Sequence, residues 1–132
     1  MREKSSIGSV KLFRLDIEKV MDELRDYAEK RVKEGAISII LIGSLARGDY
    51  TAFSDSDVVI IVRDDYVPKS PAERIKEFLD PNLSLDLQPR VYTISEIMRI
   101  APKSKLVREI LKHGILLAGD QKILIELRKR AE

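Results

Sequence analysis

Two aspartates, Asp55 and Asp57, open an apolar run shortly after a Gly43-Ser44 pair has ended the previous one. Residues two apart on a strand point to the same face, so we expect the two carboxylates side by side at a sheet edge. Carboxylates held together repel each other unless a cation lies between them. Mg²⁺ prefers oxygen ligands and is usually held by one or two carboxylates together with substrate phosphates, so magnesium is the expected ion.

The stretch from Gly43 to Asp57 resembles the nucleotidyltransferase superfamily that includes DNA polymerase beta, the CCA-adding enzymes and the aminoglycoside nucleotidyltransferases. The pattern of that family is Gly-Ser, a spacer, then Asp-x-Asp, with a third Asp on a later strand. The longer form here, through Arg47-Gly48 and Ser54, is similar to the minimal nucleotidyltransferases of prokaryotes. Residues 110–117 are similar to the helix–strand step near the C-terminus of those proteins.

The resemblance implies a third carboxylate, for which Asp86 is the candidate. It is the only acidic residue within the strand that we predict over residues 83–93, and it alternates with Leu85 and Leu87. If its face looks toward the cleft, Asp86 joins Asp55 and Asp57 in holding two magnesium ions. An isolated Asp in such a strand would otherwise be interpreted as part of its solvent face.

The Gly43-Ser44 turn is the candidate phosphate-binding element. Glycine lets a backbone approach phosphates closely, and Ser44 with N–H groups at a helix start would bind the β- and γ-phosphates of a nucleoside triphosphate. An ordinary turn after a strand is the alternative interpretation. Arg47 either contacts a phosphate through its guanidinium group or is a solvated surface charge.

The resemblance implies transfer of a nucleoside monophosphate from a triphosphate, usually ATP with magnesium, to an acceptor hydroxyl. Many minimal nucleotidyltransferases are antitoxins beside a HEPN-domain RNase toxin, and some add AMP to a toxin tyrosine. The chain leaves little room for a substrate domain, so we expect a partner protein such as a HEPN-domain toxin. Two alternatives stay open, a non-catalytic module that masks a partner and a nucleotidyltransferase acting on an antibiotic-like small molecule.

Composition agrees with one soluble globular domain over residues 1–132, with residues 1–12 as a candidate loosely ordered tail. The sequence has no cysteine, which excludes disulfides and thiolate metal sites. No run is apolar enough to span a membrane and no secretory signal is visible, so the cytoplasm is the expected location. A formal net charge of +2 does not argue for nucleic-acid binding. The oligomeric state stays open, a homo-oligomer included.

Periodicity predicts an α/β (α+β) fold, a nucleotidyltransferase-like mixed sheet packed against helices. Buried strands are expected over residues 36–42 and 57–62. An alternating strand, in which Pro89 implies an edge or a bulge, is expected over residues 83–93, and a short apolar strand over residues 115–118. Helices are expected over residues 16–34, 44–48, 72–79, 104–112 and 121–130, with another beginning at residue 93 or 95. Tyr50 and Phe53 are expected to cover the core rather than to border a base pocket.

Overall fold

The structure is a computed structural model that describes residues 15–132, and the predicted tail over residues 1–12 lies outside the described residues. Its elements in chain order are α1 (Ile17–Lys33), β1 (Ser38–Ile42), α2 (Gly43–Arg47), β2 (Ser56–Val62), α3 (Pro71–Phe78), β3 (Leu87–Thr93), α4 (Ile94–Ile100), α5 (Lys105–His113), β4 (Ile115–Gly119) and α6 (Lys122–Ala131). In residues 15–132 we find no helix with both the length and the apolar character needed to cross a membrane.

The four strands form one mixed sheet in the order β3-β2-β1-β4. Strand β1 is antiparallel to β2 and β4, whereas β2 and β3 are parallel. The end of β1 and the starts of β2 and β3 therefore meet at one edge, where Asp57 pairs with Ile42 on one side and Gln88 on the other. The candidate site residues Gly43, Asp55 and Asp57 lie at or beside this edge.

Helices cover both faces of the sheet, which confirms the predicted mixed α/β fold. Helices α1 and α3 pack on one face, where the buried residues include Leu24, Ile39, Ile60 and Phe78. Helices α4, α5 and α6 pack on the other face, around Ile40, Ile61, Ile97, Val107 and Leu127. The central strands are apolar on both faces because both are buried, as expected for strands between two helical layers.

Capping residues set the helix boundaries much as the sequence predicts. The Asp16 side chain accepts a hydrogen bond from the Lys19 N–H at 3.1 Å and begins α1. Thr93 and Glu96 form a capping box at the start of α4, and the Ser104 side chain caps α5. These local signals explain why the predicted helices differ from the observed ones only at their ends.

The third strand is shorter than predicted, since it begins at Leu87 rather than at residue 83. Its parallel partner β2 begins at Ser56, so residues further upstream have no neighbouring strand to pair with. Asp86 therefore lies just before the strand, where its carbonyl accepts a hydrogen bond from the Ser56 N–H at 2.8 Å. Leu83 and Leu85 nevertheless pack partly buried against the core, which accounts for the alternation that the sequence displays.

A buried arginine joins the two helices that flank β3. The Arg74 side chain, 1% exposed, donates to both carboxylate oxygens of Glu96 at 2.6 and 3.1 Å. It also donates to the Pro68 carbonyl at 2.9 Å. Bidentate geometry of this kind is the strong form of an arginine–carboxylate contact, so it fixes α3 against α4.

Candidate functional site

Asp57 lies at the sheet edge as the second residue of β2. It is half-buried, whereas Asp55, two residues earlier in the turn before β2, is exposed. Burial raises the pKa of the Asp57 carboxyl above its ordinary value, and the nearby negative charges of Asp55 and Glu109 raise it further. The positive charges of Arg90 and Arg47 oppose that shift. Burial is thus the main reason that the ionised form of Asp57 is disfavoured, and the surrounding charges act in both directions.

Gly43 makes direct room for the Asp57 carboxylate. Its φ is +76°, and a Cβ built there would overlap the Asp57 carboxylate oxygen Oδ2. Only a residue without a side chain combines this backbone conformation with so close an approach. The Gly-Ser pair and the Asp-x-Asp pair are therefore in direct contact at the sheet edge, through Gly43 and Asp57.

Hydrogen bonds tie the loop that carries Asp55 to the short helix α2. The Ser44 hydroxyl donates to the Ser54 hydroxyl oxygen at 3.0 Å, and the Thr51 N–H donates to the same oxygen at 2.9 Å. The Ser54 N–H returns a bond to the Thr51 carbonyl at 3.2 Å. Ser54 therefore organises the turn and sets the position from which Asp55 is presented.

Glu109 of α5 is a site residue that sequence reasoning missed. Its oxygen Oε2 accepts hydrogen bonds from the Gly43 N–H at 3.0 Å and from Arg47 Nη1 at 2.8 Å. Arg47 Nε also donates to Asp49 Oδ2 at 3.2 Å, so the guanidinium group lies between two carboxylates. In the sequence Glu109 is an ordinary polar position of an amphipathic helix, and only the packing of α5 brings it to Gly43.

The third carboxylate stays a prediction. Asp86 is exposed and precedes β3, and strand alternation assigns it to the same face as Gln88 and Arg90. In the part of the chain that the structure describes, no three His, Cys, Asp or Glu side chains are grouped closely enough to hold a metal ion. The donors at the edge are carboxylate oxygens, a set that suits Mg²⁺ completed by substrate phosphates.

The two aromatic residues of the loop differ in their surroundings. Tyr50 packs partly buried against the core, as expected. The expectation for Phe53 was wrong, because its side chain is 84% exposed. The loop closes on itself through Thr51 and Ser54, which leaves Phe53 at the turn and away from the sheet.

A profile of the nucleotidyltransferase domain family matches residues 21–117, a stretch that contains the Gly-Ser pair, Asp55, Asp57 and Asp86. The chain belongs to this nucleotidyltransferase family. That membership confirms the expectation of a nucleotidyltransferase. No curated protein matches the sequence significantly.

Solved structures share the fold of this nucleotidyltransferase at low sequence identity. A toxin–antitoxin structure with AMP-PNP is 20% identical with a TM-score of 0.52, covering 88% of this chain and 84% of that one. A complex of a tri-AMPylated HEPN toxin from Shewanella oneidensis with an MNT antitoxin is 13% identical, with a TM-score of 0.51 and coverages of 86% and 84%. A protein assigned as a nucleotidyltransferase in Sulfolobus solfataricus is 18% identical, with a TM-score of 0.51 and coverages of 80% and 89%. These likenesses concern the fold.

Gly43→Ala is expected to destabilise this nucleotidyltransferase by about 2–3 kcal/mol, because a methyl group would add a clash with Asp57 to the strain of a positive φ. Gly48→Ala is the matched control, since Gly48 has a φ of +90° but open space where its Cβ would lie. It should cost only about 1 kcal/mol. Urea unfolding of both variants measures the difference. Equal losses would mean that the approach of Asp57 to Gly43 has no energetic weight.

Proposed function

We propose that this nucleotidyltransferase transfers AMP from ATP to a hydroxyl group on a partner protein, with magnesium, and acts as an antitoxin. The observation that carries the proposal is the contact of the Asp57 carboxylate with Gly43, which joins the two halves of the motif at one edge. Asp55 and the donors of Gly43 and Arg47 border the same place. This arrangement supports a cation site on the carboxylates beside a phosphate site on those donors.

The proposed reaction is an in-line displacement at the α-phosphorus of the triphosphate. The acceptor oxygen forms the new bond to phosphorus, the bond from phosphorus to the bridging oxygen breaks, and pyrophosphate leaves. The acceptor proton passes to a carboxylate, for which we propose Asp86. Ser44, Arg47 and the Gly43 N–H would bind the oxygens of the triphosphate and stabilise the charge that develops on pyrophosphate.

Magnesium would be held by Asp55 and Asp57, and by Asp86 if the third carboxylate joins them. Burial, and to a smaller degree the charges of Asp55 and Glu109, raise the pKa of Asp57, and a bound divalent cation would favour its ionised form. When bound, two such ions supply charge neutralisation on the phosphates and a lower pKa for the acceptor hydroxyl.

A protein acceptor, and specifically a HEPN-domain toxin, is proposed from two lines of support. The fold is shared with a toxin–antitoxin structure that contains AMP-PNP and with the complex of an AMPylated HEPN toxin with an MNT antitoxin. In addition, the loop just before Asp55 carries the exposed Phe53, an aromatic anchor of the kind that is enriched at protein interfaces. A partner segment resting on Phe53 would bring its hydroxyl close to the aspartates.

Phe53→Ser is expected to reduce transfer to the partner protein roughly tenfold, because an aromatic side chain that becomes buried in an interface contributes roughly 1–3 kcal/mol to binding. The nucleotide affinity and the unfolding midpoint should stay unchanged. Val67→Ser is the matched control, since Val67 is 73% exposed and follows the opposite end of β2. Initial rates at limiting partner concentration measure the effect. Equal rates for both variants would exclude Phe53 from the acceptor interface.

The experiment that tests the proposal combines the protein, Mg²⁺ and α-labelled ATP with the product of the neighbouring gene or with an aminoglycoside. Label on the neighbouring protein supports the proposed function, whereas label on the small molecule alone would favour an antibiotic-modifying enzyme. A tight complex that carries no label would favour a module that only masks its partner. The same reaction with EDTA should give no label.

A further inference from the structure

Glu109 already accepts hydrogen bonds from two groups that the proposed function assigns to the triphosphate. Its single oxygen Oε2 receives the Gly43 N–H at 3.0 Å and Arg47 Nη1 at 2.8 Å. A carboxylate oxygen and a phosphate oxygen are both anionic acceptors, and an arginine with a backbone N–H suits either one. In this state the protein therefore supplies its own anion to those donors.

Packing explains why Glu109 is held at this place. Its helix α5 is anchored to the sheet by Val107 and Ile110, which are buried in the core on that face. Glu109 lies between them in sequence and faces α2 across the sheet edge, where its side chain is 31% exposed. The helix is thus fixed, while the carboxylate itself borders solvent.

The charges around the site oppose the entry of a free triphosphate. Among Asp57, Arg47 and the charged groups that act on either of them, carboxylates outnumber guanidinium groups by four to two. The acidic groups are Asp49, Asp55, Asp57 and Glu109, and the basic groups are Arg47 and Arg90. Arg47 already donates from Nε to Asp49 and from Nη1 to Glu109, so its charge is shared between two carboxylates of the protein.

We propose that Glu109 competes with the triphosphate for Gly43 and Arg47 and so sets the nucleotide affinity of the site, an inference that rests on the proposed function. A phosphate oxygen would need the single Gly43 N–H and the Arg47 N–H that Glu109 now accepts. Nucleotide binding then requires the Glu109 side chain to rotate toward solvent and Arg47 to exchange one anion for the other. Release of the nucleotide restores the internal pair.

The test compares equilibrium binding of AMP-PNP and of inorganic tripolyphosphate, each with Mg²⁺, to wild type and to Glu109→Gln. Removing the competing charge is expected to tighten both ligands about three- to tenfold, a modest gain because the pair is partly exposed. Glu126→Gln is the matched control, since Glu126 is also a half-exposed carboxylate paired with an arginine, Arg130, at 3.3 Å. It should leave both affinities unchanged.

The outcomes separate this inference from the proposed function. If wild type binds AMP-PNP and Glu109→Gln binds it equally or more weakly, the competition by Glu109 is wrong and the proposed function stands. If neither protein binds AMP-PNP, both are wrong. A gain that disappears in the Arg47→Gln background supports exchange at Arg47, and a gain of the same size there overturns it.

A second variant, which keeps the negative charge, allows the inference to be tested even if Glu109→Gln does not fold. Glu109→Asp is one methylene shorter and should reach Gly43 and Arg47 poorly, so it too is expected to bind tripolyphosphate more tightly than wild type. Thermal unfolding of each variant shows whether the fold is kept. Should Glu109→Gln fail to unfold cooperatively, wild-type affinity in Glu109→Asp would overturn the inference.

Discussion

Asp57→Asn should abolish nucleotide transfer, with a loss on the order of 10³-fold or more, because several kcal/mol of transition-state stabilisation depend on the metal ions that this carboxylate is proposed to hold. The amide has nearly the same shape, so it still fits against Gly43. What it lacks is the charge that attracts a divalent cation. The rate of pyrophosphate release from ATP, in the presence of the acceptor, measures the loss.

The same variant should fold at least as well as wild type without magnesium. The pKa of Asp57 is raised in the folded protein, so ionisation of this carboxyl opposes folding at neutral pH, and a neutral side chain removes that cost. Added Mg²⁺ should stabilise wild type but not Asp57→Asn. Asp65→Asn is the control, since Asp65 is an exposed residue paired with Arg63. It should change neither the stability without magnesium nor the effect of added Mg²⁺. An Asp57→Asn protein that fails to fold would point to a structural role.

Glu96→Gln is expected to destabilise the fold by about 3 kcal/mol, the second large effect. It would leave the guanidinium group of Arg74 buried with its charge uncompensated, and breaking a buried pair from one side typically costs about 3–5 kcal/mol. The lower end of that range applies because the Glu96 side chain is 29% exposed. Urea unfolding at neutral pH measures the loss, and Asp65→Asn should cost under about 0.5 kcal/mol.

The pH dependence of this loss has a definite sign. Hydrogen bonding from Arg74 lowers the pKa of Glu96 in the folded protein. The pair therefore contributes fully above the ordinary carboxyl range and loses its contribution as the pH falls through the lowered pKa. The difference between wild type and Glu96→Gln should shrink in acid. A difference that is constant or grows in acid would show that the Arg74 charge is not what Glu96 compensates.

Local features of this chain could be predicted because their signals lie close together in the sequence. Capping residues such as Asp16 and Ser104 indicate where a helix begins, because they bond to the backbone a few residues later and need no tertiary contact. The apolar run of β2 predicts a buried strand, and Asp57 lies within that strand while Asp55 lies in the turn before it. The meeting of Gly43 with Asp57 follows once β1 and β2 pair.

The features that sequence reasoning missed depend on contacts between distant segments. Glu109 reaches Gly43 only because α5 packs against the sheet, and helical periodicity carries no information about which polar residue faces a site. The start of β3 is set by the start of its partner β2, so apolar alternation extends the predicted strand too far. Phe53 is exposed because its turn closes on itself, which composition does not reveal.

The proposal that Asp55 and Asp57 hold the metal ions needed for adenylate transfer can be tested by mass spectrometry. The intact mass of the acceptor protein is measured after incubation with ATP and Mg²⁺. Wild-type protein should add whole adenylate units to the acceptor, and neither Asp57→Asn nor a reaction with EDTA should add any. An acceptor that gains the same mass with Asp57→Asn as with wild type would contradict the proposal.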